Sequence, residues 1–168
     1  MDQKAYDFNH MDIYIPELLK DLLPQDLLGQ CHAYHFEKGN FLFHQGQKPE
    51  SMFFIVSGET VLSRTSSHGE PTILQRCKGG FLSEASLLSD IYHCDAIATH
   101  SGQAIAIPIR SLKEALADSN FSLKWVRLLS REIMRLRTQS ERLGLKDIRS
   151  KLIHLIETEG SQGALTLQ

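Results

Sequence analysis

Short apolar runs separated by glycine fill the chain from about residue 31 to residue 109. They recur at intervals of roughly 8–12 residues, which is typical of the strands of an all-β sandwich or roll. The runs cover residues 34–36, 41–43, 52–56, 61–62, 73–74, 96–98 and 104–107. Between two of them, Ser57-Gly58-Glu59 predicts a tight turn, and residues 67–70 predict a longer hairpin loop. This region is therefore expected to fold as a sheet of short strands.

Helical patterns flank this region on both sides. Residues 15–30 carry a short amphipathic pattern that Pro24 interrupts, because proline removes a backbone donor and restricts the residue before it. Pro108 ends the last apolar run, and residues 111–116 predict one short helix. Residues 121–143 contain neither glycine nor proline. They predict a long helix of roughly 35 Å, since each helical residue adds about 1.5 Å.

The long helix carries a narrow apolar stripe. Its members follow the alternating three- and four-residue spacing of the a and d positions of a coiled coil, with a serine at one a position. They are Val126, Leu129, Ile133, Leu136, Ser140 and Leu143. Because a stripe this narrow usually faces another helix, the pattern predicts a homodimer formed through residues 121–143. Packing of the stripe onto the chain's own β-region is the alternative.

A second helix is predicted after the long one. Gly144 is a typical helix stop, Asp147 is a typical N-cap, and residues 148–158 carry apolar positions on one face. Gly160-Ser161-Gln162-Gly163 then predicts a turn, and the apolar residues after it have nothing to pack against. We therefore expect the chain to end inside a further domain.

Composition places the chain among ordinary globular proteins. Hydrophobic residues make up 42% and charged residues 23% of the chain, as in a typical water-soluble domain. The longest apolar stretch, residues 104–109, is far too short to span a membrane. The polar N-terminal residues lack the apolar core of a signal peptide. A cytoplasmic protein without membrane contact is the prediction.

Charge is unevenly distributed along the chain. Residues 1–120 contain nine basic and 15 acidic residues, whereas residues 121–151 contain nine basic and three acidic ones. The overall net charge of -2 hides this change of sign. Basic charge on a helix can indicate a nearby polyanion, although the solvated face of a long helix is the more common explanation.

The three cysteines, Cys31, Cys77 and Cys94, are far apart and form no CxxC pair. A structural zinc site or a disulfide framework is therefore not expected. Three cysteines are also too few for an iron–sulfur site that is held by four cysteine ligands. Buried and unreactive thiols are the expectation.

No pattern of a catalytic site is visible. The sequence shows no Ser-His-Asp order, paired-carboxylate motif or phosphate-binding loop, and it predicts a protein that is not an enzyme. His32, His35, Glu37 and His44 lie close together in the sequence, but their spacing does not match the metal ligands of a cupin. No metal site is predicted.

Three segments of the β-region carry a longer, ordered motif. They are EKGNFLFHQG (37–46), FFIVSG (53–58) and GGFLSEASLL (79–88), and together they resemble the cyclic nucleotide-binding domain. The long helix that follows makes residues 16–168 similar to bacterial transcription regulators of the Crp/Fnr family. The resemblance implies a mainly β fold with α-helices: a double-stranded, jelly-roll-like β-roll flanked by short helices and followed by a long dimerisation helix.

The resemblance also implies three parts of the chain. Residues 16–118 correspond to the effector-binding β-roll, 119–146 to the dimerisation helix, and 147–168 to the first helix and turn of a truncated winged helix-turn-helix domain. The chain is then the effector-sensing and dimerisation part of a regulator that binds DNA through a recognition helix further on, and it does not bind DNA specifically by itself. A stand-alone regulatory module that controls an attached enzyme or partner is the alternative.

The resemblance places an effector site in the third segment and the strand after it. In family members that bind cyclic AMP, a Gly-Glu pair leads into backbone amides that face the cyclic phosphate. The Glu accepts a hydrogen bond from the ribose hydroxyl, and an Arg followed by Ser or Thr contacts the phosphate. The family adds contacts to the base from the long helix. The candidate residues here are Ser83, Glu84, Ala85, Ser86, Cys94, Asp95, Gln139 and Ser140.

This site departs from the family pattern at three positions. Ser83 replaces the glycine and so restricts close approach of the backbone. Cys94 replaces the arginine, and Asp95 replaces the Ser or Thr. Loss of a charged hydrogen bond costs about 2–3 kcal/mol, which is tens- to hundredfold in affinity, before any repulsion by Asp95. Weak binding of cyclic AMP, or none, is predicted.

Two alternatives for the effector remain open. A nearby cation, Arg64 or Arg76, could compensate for Cys94 in phosphate binding. His93 or Cys94 could ligate a haem iron, as in some gas-sensing relatives. Adjacent residues of a strand point to opposite faces, so at most one of the two could reach the iron. The sequence thus leaves the identity of the effector open between these alternatives.

Overall fold

The computed structural model describes residues 14–65 and 71–159, and the chain divides into two compact units, Met1–Phe121 and Ser122–Gln168. The strands are β1 (His32–Phe36), β2 (Phe41–Phe43), β3 (Ser51–Thr65), β4 (Pro71–Cys77), β5 (Gly80–Leu82) and β6 (Asp95–Pro108). The helices are α1 (Glu17–Leu22), α2 (Gln25–Leu28), a 3₁₀ helix (Glu84–Ser86), α3 (Ile109–Ala115), α4 (Ser119–Gly144) and α5 (Ile148–Glu159). No helix in these described ranges is long and apolar enough to cross a membrane.

The two longest strands, β3 and β6, form the centre of a six-stranded antiparallel sheet. The strand order is β1-β6-β3-β4, and the short strands β2 and β5 pair with β6 and β3 respectively. Each long strand therefore has different partners along its two halves, which is the arrangement of a β-roll. The predicted fold class, mainly β with flanking short helices and a long helix, is confirmed.

The tight turn predicted at Ser57-Gly58-Glu59 is wrong, because β3 continues through all three residues. Gly58 has φ +82° and lies against Gly102 of β6. A Cβ atom on Gly58 would lie 2.6 Å from the Ser101 carbonyl oxygen, and one on Gly102 would lie 2.1 Å from the Ser57 carbonyl oxygen. The glycines thus allow two backbones to approach closely, and the register shifts there. The predicted strands 96–98 and 104–107 likewise belong to one strand, β6.

The helices follow the local signals of the sequence. The pattern at residues 15–30 divides at Pro24 into α1 and α2, and α3 begins directly after Pro108. The long helix ends at Gly144 as predicted. Asp147 is the N-cap of α5, since its Oδ1 accepts a hydrogen bond of 2.8 Å from the backbone N–H of Ser150. The loop predicted at 67–70 and the turn predicted at 160–163 lie outside the described residues.

The hydrophobic core of the first unit lies between the halves of the roll. Its buried members are Phe36, Leu42, Phe43, Phe53, Ile55, Leu62, Cys77, Leu82, Tyr92, Cys94, Ala96, Ala98, Ala104 and Ala106. The rings of Phe43 and Tyr92 stack with their centroids 4.0 Å apart. All three cysteines are buried and free, as expected. Burial raises the pKa of Cys31 to about 11, so that thiol stays protonated and unreactive.

Candidate functional site

The segment predicted to face the effector begins with an unusual backbone conformation at Ser83. This residue has φ 71° and ψ 12°, and among the described residues it alone has a positive φ without being a glycine. Its side chain is buried, and Oγ donates a hydrogen bond of 3.4 Å to the carbonyl oxygen of Ser51. The 3₁₀ helix Glu84–Ser86 follows, with the Ser86 N–H donating to the Ser83 carbonyl oxygen at 2.9 Å. Serine therefore adopts here the left-handed conformation that glycine adopts readily.

Cys94 lies buried immediately before β6, and three charged groups, Arg64, Asp95 and Glu84, act on its thiol. Burial raises the pKa of the Cys94 thiol; the positive charge of Arg64 opposes this rise, and the negative charges of Asp95 and Glu84 add to it. Glu84 itself is half-buried. The charge of Glu84 thus acts on Cys94, although ten residues separate them in the chain, and the charge of Arg64 acts on it from β3.

The Asp95 carboxylate is directed to a turn of the backbone. Its Oδ1 accepts a hydrogen bond of 2.8 Å from the Gln45 N–H and lies 3.5 Å from Nδ1 of His44. Beside this contact, the Gly46 N–H donates to the Tyr92 carbonyl oxygen at 2.9 Å. Asp95 therefore fixes the chain between β2 and β3 to the beginning of β6. Nothing in the sequence near Asp95 indicates this partner, which lies 50 residues away.

The two cations named as possible replacements for the missing arginine occupy different places. Nε of Arg64 donates a hydrogen bond of 3.1 Å to the carbonyl oxygen of His93, next to Cys94. Nη1 of Arg76 instead donates to Oε1 of Glu59, also at 3.1 Å. Arg64 is therefore the cation beside the candidate site. The signal that identifies it is the pairing of β3 with β6, which the sequence alone does not reveal.

A cluster of charged groups surrounds Glu59 on the central strand β3. Besides its hydrogen bond from Arg76, the buried Glu59 carboxylate lies 3.8 Å from Nζ of Lys78 and 3.7 Å from Nδ1 of His100. Burial would raise the pKa of Glu59, but the Arg76 hydrogen bond, Lys78, a Thr99 hydrogen bond and His100 together lower it. The carboxylate is therefore ionised and paired, and the cations around it are engaged.

The remaining candidate residues lie on α4. Gln139 and Ser140 are both exposed on this helix. The apolar stripe is also largely exposed, and the exposed fractions of its members are 56% for Val126, 49% for Ile133, 47% for Leu136 and 70% for Leu143, with Leu129 half-buried. In contrast, Trp125 near the beginning of the helix is only 3% exposed. The stripe is thus not covered within the described part of the chain.

Two alternatives from the sequence can be compared with these positions. His93 is exposed whereas Cys94 is buried, and both residues precede β6. Within residues 14–65 and 71–159, no three His, Cys, Asp or Glu side chains are grouped so that they could hold a metal ion.

Residues 34–119 match the family model of the cyclic nucleotide-binding domain. The chain belongs to this family. The matched residues include the strands β2 to β6, the 3₁₀ helix and the candidate site of Ser83, Glu84, Cys94 and Asp95. No curated protein shows detectable sequence similarity to the chain.

Solved structures of transcription regulators share the fold. The sensor domain of the transcriptional regulator DNR from Pseudomonas aeruginosa has a TM-score of 0.61 and 21% identity, covering 79% of this chain and 90% of that domain. The catabolite activator protein of Thermus thermophilus has a TM-score of 0.59 and 20% identity, covering 76% of this chain and 63% of its own. The c-di-GMP-responsive regulator CLP of Xanthomonas campestris has a TM-score of 0.56 and 16% identity, covering 83% of this chain and 72% of its own.

For two of the regulators the match covers only part of their own length. The chain spans 59% of a second DNR structure and 63% of the catabolite activator protein, which is less than two thirds in each case. At such identities the comparison establishes the fold. The predicted similarity to sensor domains of Crp/Fnr regulators is confirmed at that level.

Proposed function

We propose that this chain is the effector-sensing and dimerisation part of a Crp/Fnr-type transcription regulator that does not respond to cyclic AMP in the usual way. The observation that carries the proposal is the exposed apolar stripe on α4, which follows directly on a β-roll of the cyclic nucleotide-binding family. With 26 residues, α4 is about 39 Å long. Monomeric proteins rarely expose an apolar surface of that length, so the stripe is expected to be covered.

A second copy of the same helix is the occupant that fits the stripe best. The a and d spacing continues for about three heptads, and a stripe with this period matches its own copy in a two-fold dimer. Ser140 adds one polar position, which in coiled coils helps to select the register of the two helices. The members that face the partner are Val126, Leu129, Ile133, Leu136, Ser140 and Leu143.

The same arrangement supports a role in DNA regulation. The basic charge of residues 121–151 lies on α4 and the beginning of α5, which follow the acidic β-roll in the sequence. We assign α5, with its Asp147 cap, as the first helix of a DNA-binding domain. This succession of helices favours a regulator over a stand-alone module that controls an attached enzyme.

The test of the dimer is a charged substitution within the stripe and a matched one beside it. Leu136→Lys places an ammonium group at the centre of the stripe, and Met134→Lys adds the same charge two residues away, at a position that is 60% exposed and off the stripe. A buried leucine contributes about 2 kcal/mol, and the dimer loses two of them, so Leu136→Lys should weaken association by about a thousandfold. Light scattering at several concentrations measures this directly.

We expect a dimer for the parent and for Met134→Lys, and a monomer for Leu136→Lys. A monomeric parent would contradict the proposal, as would a Leu136→Lys variant that still forms dimers. Dissociation by both substitutions would show that the interface does not follow the a and d positions. Circular dichroism of each variant establishes that the helix content is unchanged.

A further inference from the structure

The apolar stripe fixes the heptad position of the residues on either side of it. Counting from the a position at Val126, the residues that flank the stripe between positions 122 and 143 fall at e and g. They are Leu123, Trp125, Ser130, Glu132, Arg137 and Gln139. Of these six, Glu132, at g, and Arg137, at e, are charged. The other charged residues of this stretch occupy b, c and f positions, which point away from the stripe.

Glu132 and Arg137 carry opposite charges and are five positions apart. In a parallel pair of helices, a g residue of one helix lies beside the e residue five positions later in the other helix. Glu132 therefore meets the partner's Arg137, and two-fold symmetry makes this contact twice. In an antiparallel pair, g lies beside g and e beside e, so these two residues do not meet. The charges are thus complementary in one orientation of the helices.

The residues of the stripe favour the same arrangement. Val126 and Ile133, at a positions, have β-branched side chains, and all three d positions are leucine. In parallel coiled coils, β-branched residues at a with leucine at d favour two strands. The apolar pattern and the charge pattern depend on different residues, and both fit one partner helix in parallel orientation.

The Glu132 carboxylate is positioned at the surface of α4 by its own helix. Nη2 of Arg135 donates to Oε1 at 2.6 Å, and Nε of Arg135 donates to Oε2 at 2.9 Å. This contact joins residues three positions apart, so it is present with or without a partner. The Glu132 side chain remains 33% exposed, and a second guanidinium group can approach it there.

Arg137 is exposed on α4 and available for a contact outside the chain. Within the described part of the chain, its guanidinium group forms no ion pair. Glu141, the acidic residue four positions later, lies 3.7 Å from Nε2 of His154 on α5 instead. Arg137 is therefore a cation beside the stripe whose carboxylate partner has to come from another molecule.

We propose that Glu132 and the partner's Arg137 form two symmetric ion pairs, and that these pairs select a second copy of this chain, with its helix parallel and in register, as the partner of α4. The inference rests on the dimerisation role proposed above and names the residues that determine the choice of partner. An exposed ion pair changes an equilibrium constant by only about 1.5- to fivefold. The apolar stripe thus supplies most of the affinity, and the ion pairs supply the selection.

The experiment mixes two variants that each carry one reversed charge. Homodimers of Glu132→Arg bring arginine beside arginine, and homodimers of Arg137→Glu bring glutamate beside glutamate. The mixed dimer instead contains two arginine–glutamate pairs. The variants are refolded together from urea, and native mass spectrometry measures the proportions of the three dimers. The contact of position 132 with Arg135 lies within one helix and is the same in both kinds of dimer, so it does not affect these proportions.

Exchange of two homodimers for two mixed dimers replaces four repulsive contacts by four ion pairs. The equilibrium constant of this exchange should therefore exceed that of random mixing by about 10- to 100-fold. Arg131→Glu mixed with Glu141→Arg is the matched control, because it makes the same changes of charge at f and b positions. The control variants should form mixed dimers at random.

Random mixing of the test variants would overturn the inference, and so would a mixture that forms no dimers. An equal excess of mixed dimers in test and control would also overturn it, because that result would reflect net charge alone. Light scattering of the parent separates this inference from the proposed function. A dimeric parent whose variants mix at random contradicts only the selection by Glu132 and Arg137, whereas a monomeric parent contradicts the dimer itself.

Discussion

Ser83 offers a direct test of how the site's backbone is held. Replacing it by alanine removes the 3.4 Å hydrogen bond to the Ser51 carbonyl oxygen but leaves the left-handed conformation in place. The carbonyl oxygen keeps the 2.6 Å hydrogen bond from the Tyr92 hydroxyl, so no buried acceptor is left without a donor. Ser83→Ala should therefore lower the free energy of unfolding by only about 0.5–1 kcal/mol.

Replacing Ser83 by glycine removes the same hydrogen bond and also relieves the backbone. A left-handed conformation costs a residue with a Cβ atom about 1–2 kcal/mol, which glycine does not incur. The greater freedom of glycine in the unfolded chain offsets about 0.4–1 kcal/mol of this gain. We therefore expect Ser83→Gly to be more stable than Ser83→Ala by about 1 kcal/mol, and close to the parent.

Urea unfolding measures the difference in the free energy of unfolding between Ser83→Ala and Ser83→Gly, provided that this free energy depends on urea concentration with the same slope in both variants. Ser86 supplies the control, because it is similarly buried, lies three residues away and has no positive φ. There the order should reverse, with Ser86→Gly less stable than Ser86→Ala by about 0.5–1 kcal/mol. A glycine that is no better than alanine at position 83 would refute the reasoning, and so would the same order of stability at both positions.

Two further predictions concern ligands. Cyclic AMP and cyclic GMP should bind the parent weakly or not at all in calorimetry, and micromolar binding by the parent would refute this. The joint exchange Cys94→Arg and Asp95→Ser should increase the affinity for both nucleotides. If the affinity does not increase, the shape of the site around Ser83 excludes the nucleotide. The 168 residues should bind DNA weakly and in a salt-sensitive way through the basic charge of residues 121–151, and gel shifts at low and at physiological salt check this.

Signals that act over a few residues predicted the fold well. Pro24 and Pro108 mark the ends of elements because of their own backbone restrictions. Asp147 caps α5 by accepting a hydrogen bond from the N–H of Ser150, three positions away. The period of the apolar residues in α4 likewise depends only on the helix itself. Such features could be predicted because cause and effect lie within one or two turns of chain.

Features that depend on pairing between distant strands could not be predicted in the same way. Gly58 looked like a turn residue, but its role is set by Gly102, which lies across the sheet. Asp95 looked like a carboxylate that would repel a phosphate, but its partner is the Gln45 N–H. Arg64 was one of two candidate cations, and its hydrogen bond to the His93 carbonyl oxygen separates it from Arg76, which binds Glu59.

The side chains at positions 64 and 94 affect each other, because the positive charge of Arg64 acts on the Cys94 thiol. Arg64 donates a hydrogen bond to the His93 carbonyl oxygen, so an arginine at position 94 would bring a second positive charge close to it. Two like charges at short distance repel each other. A neutral, compact side chain such as that of Cys94 avoids this repulsion and fits the buried cluster. For the same reason, the repulsion between the two guanidinium groups reduces the affinity for a cyclic nucleotide that Cys94→Arg and Asp95→Ser gain. Only a phosphate bound between the two groups offsets this repulsion.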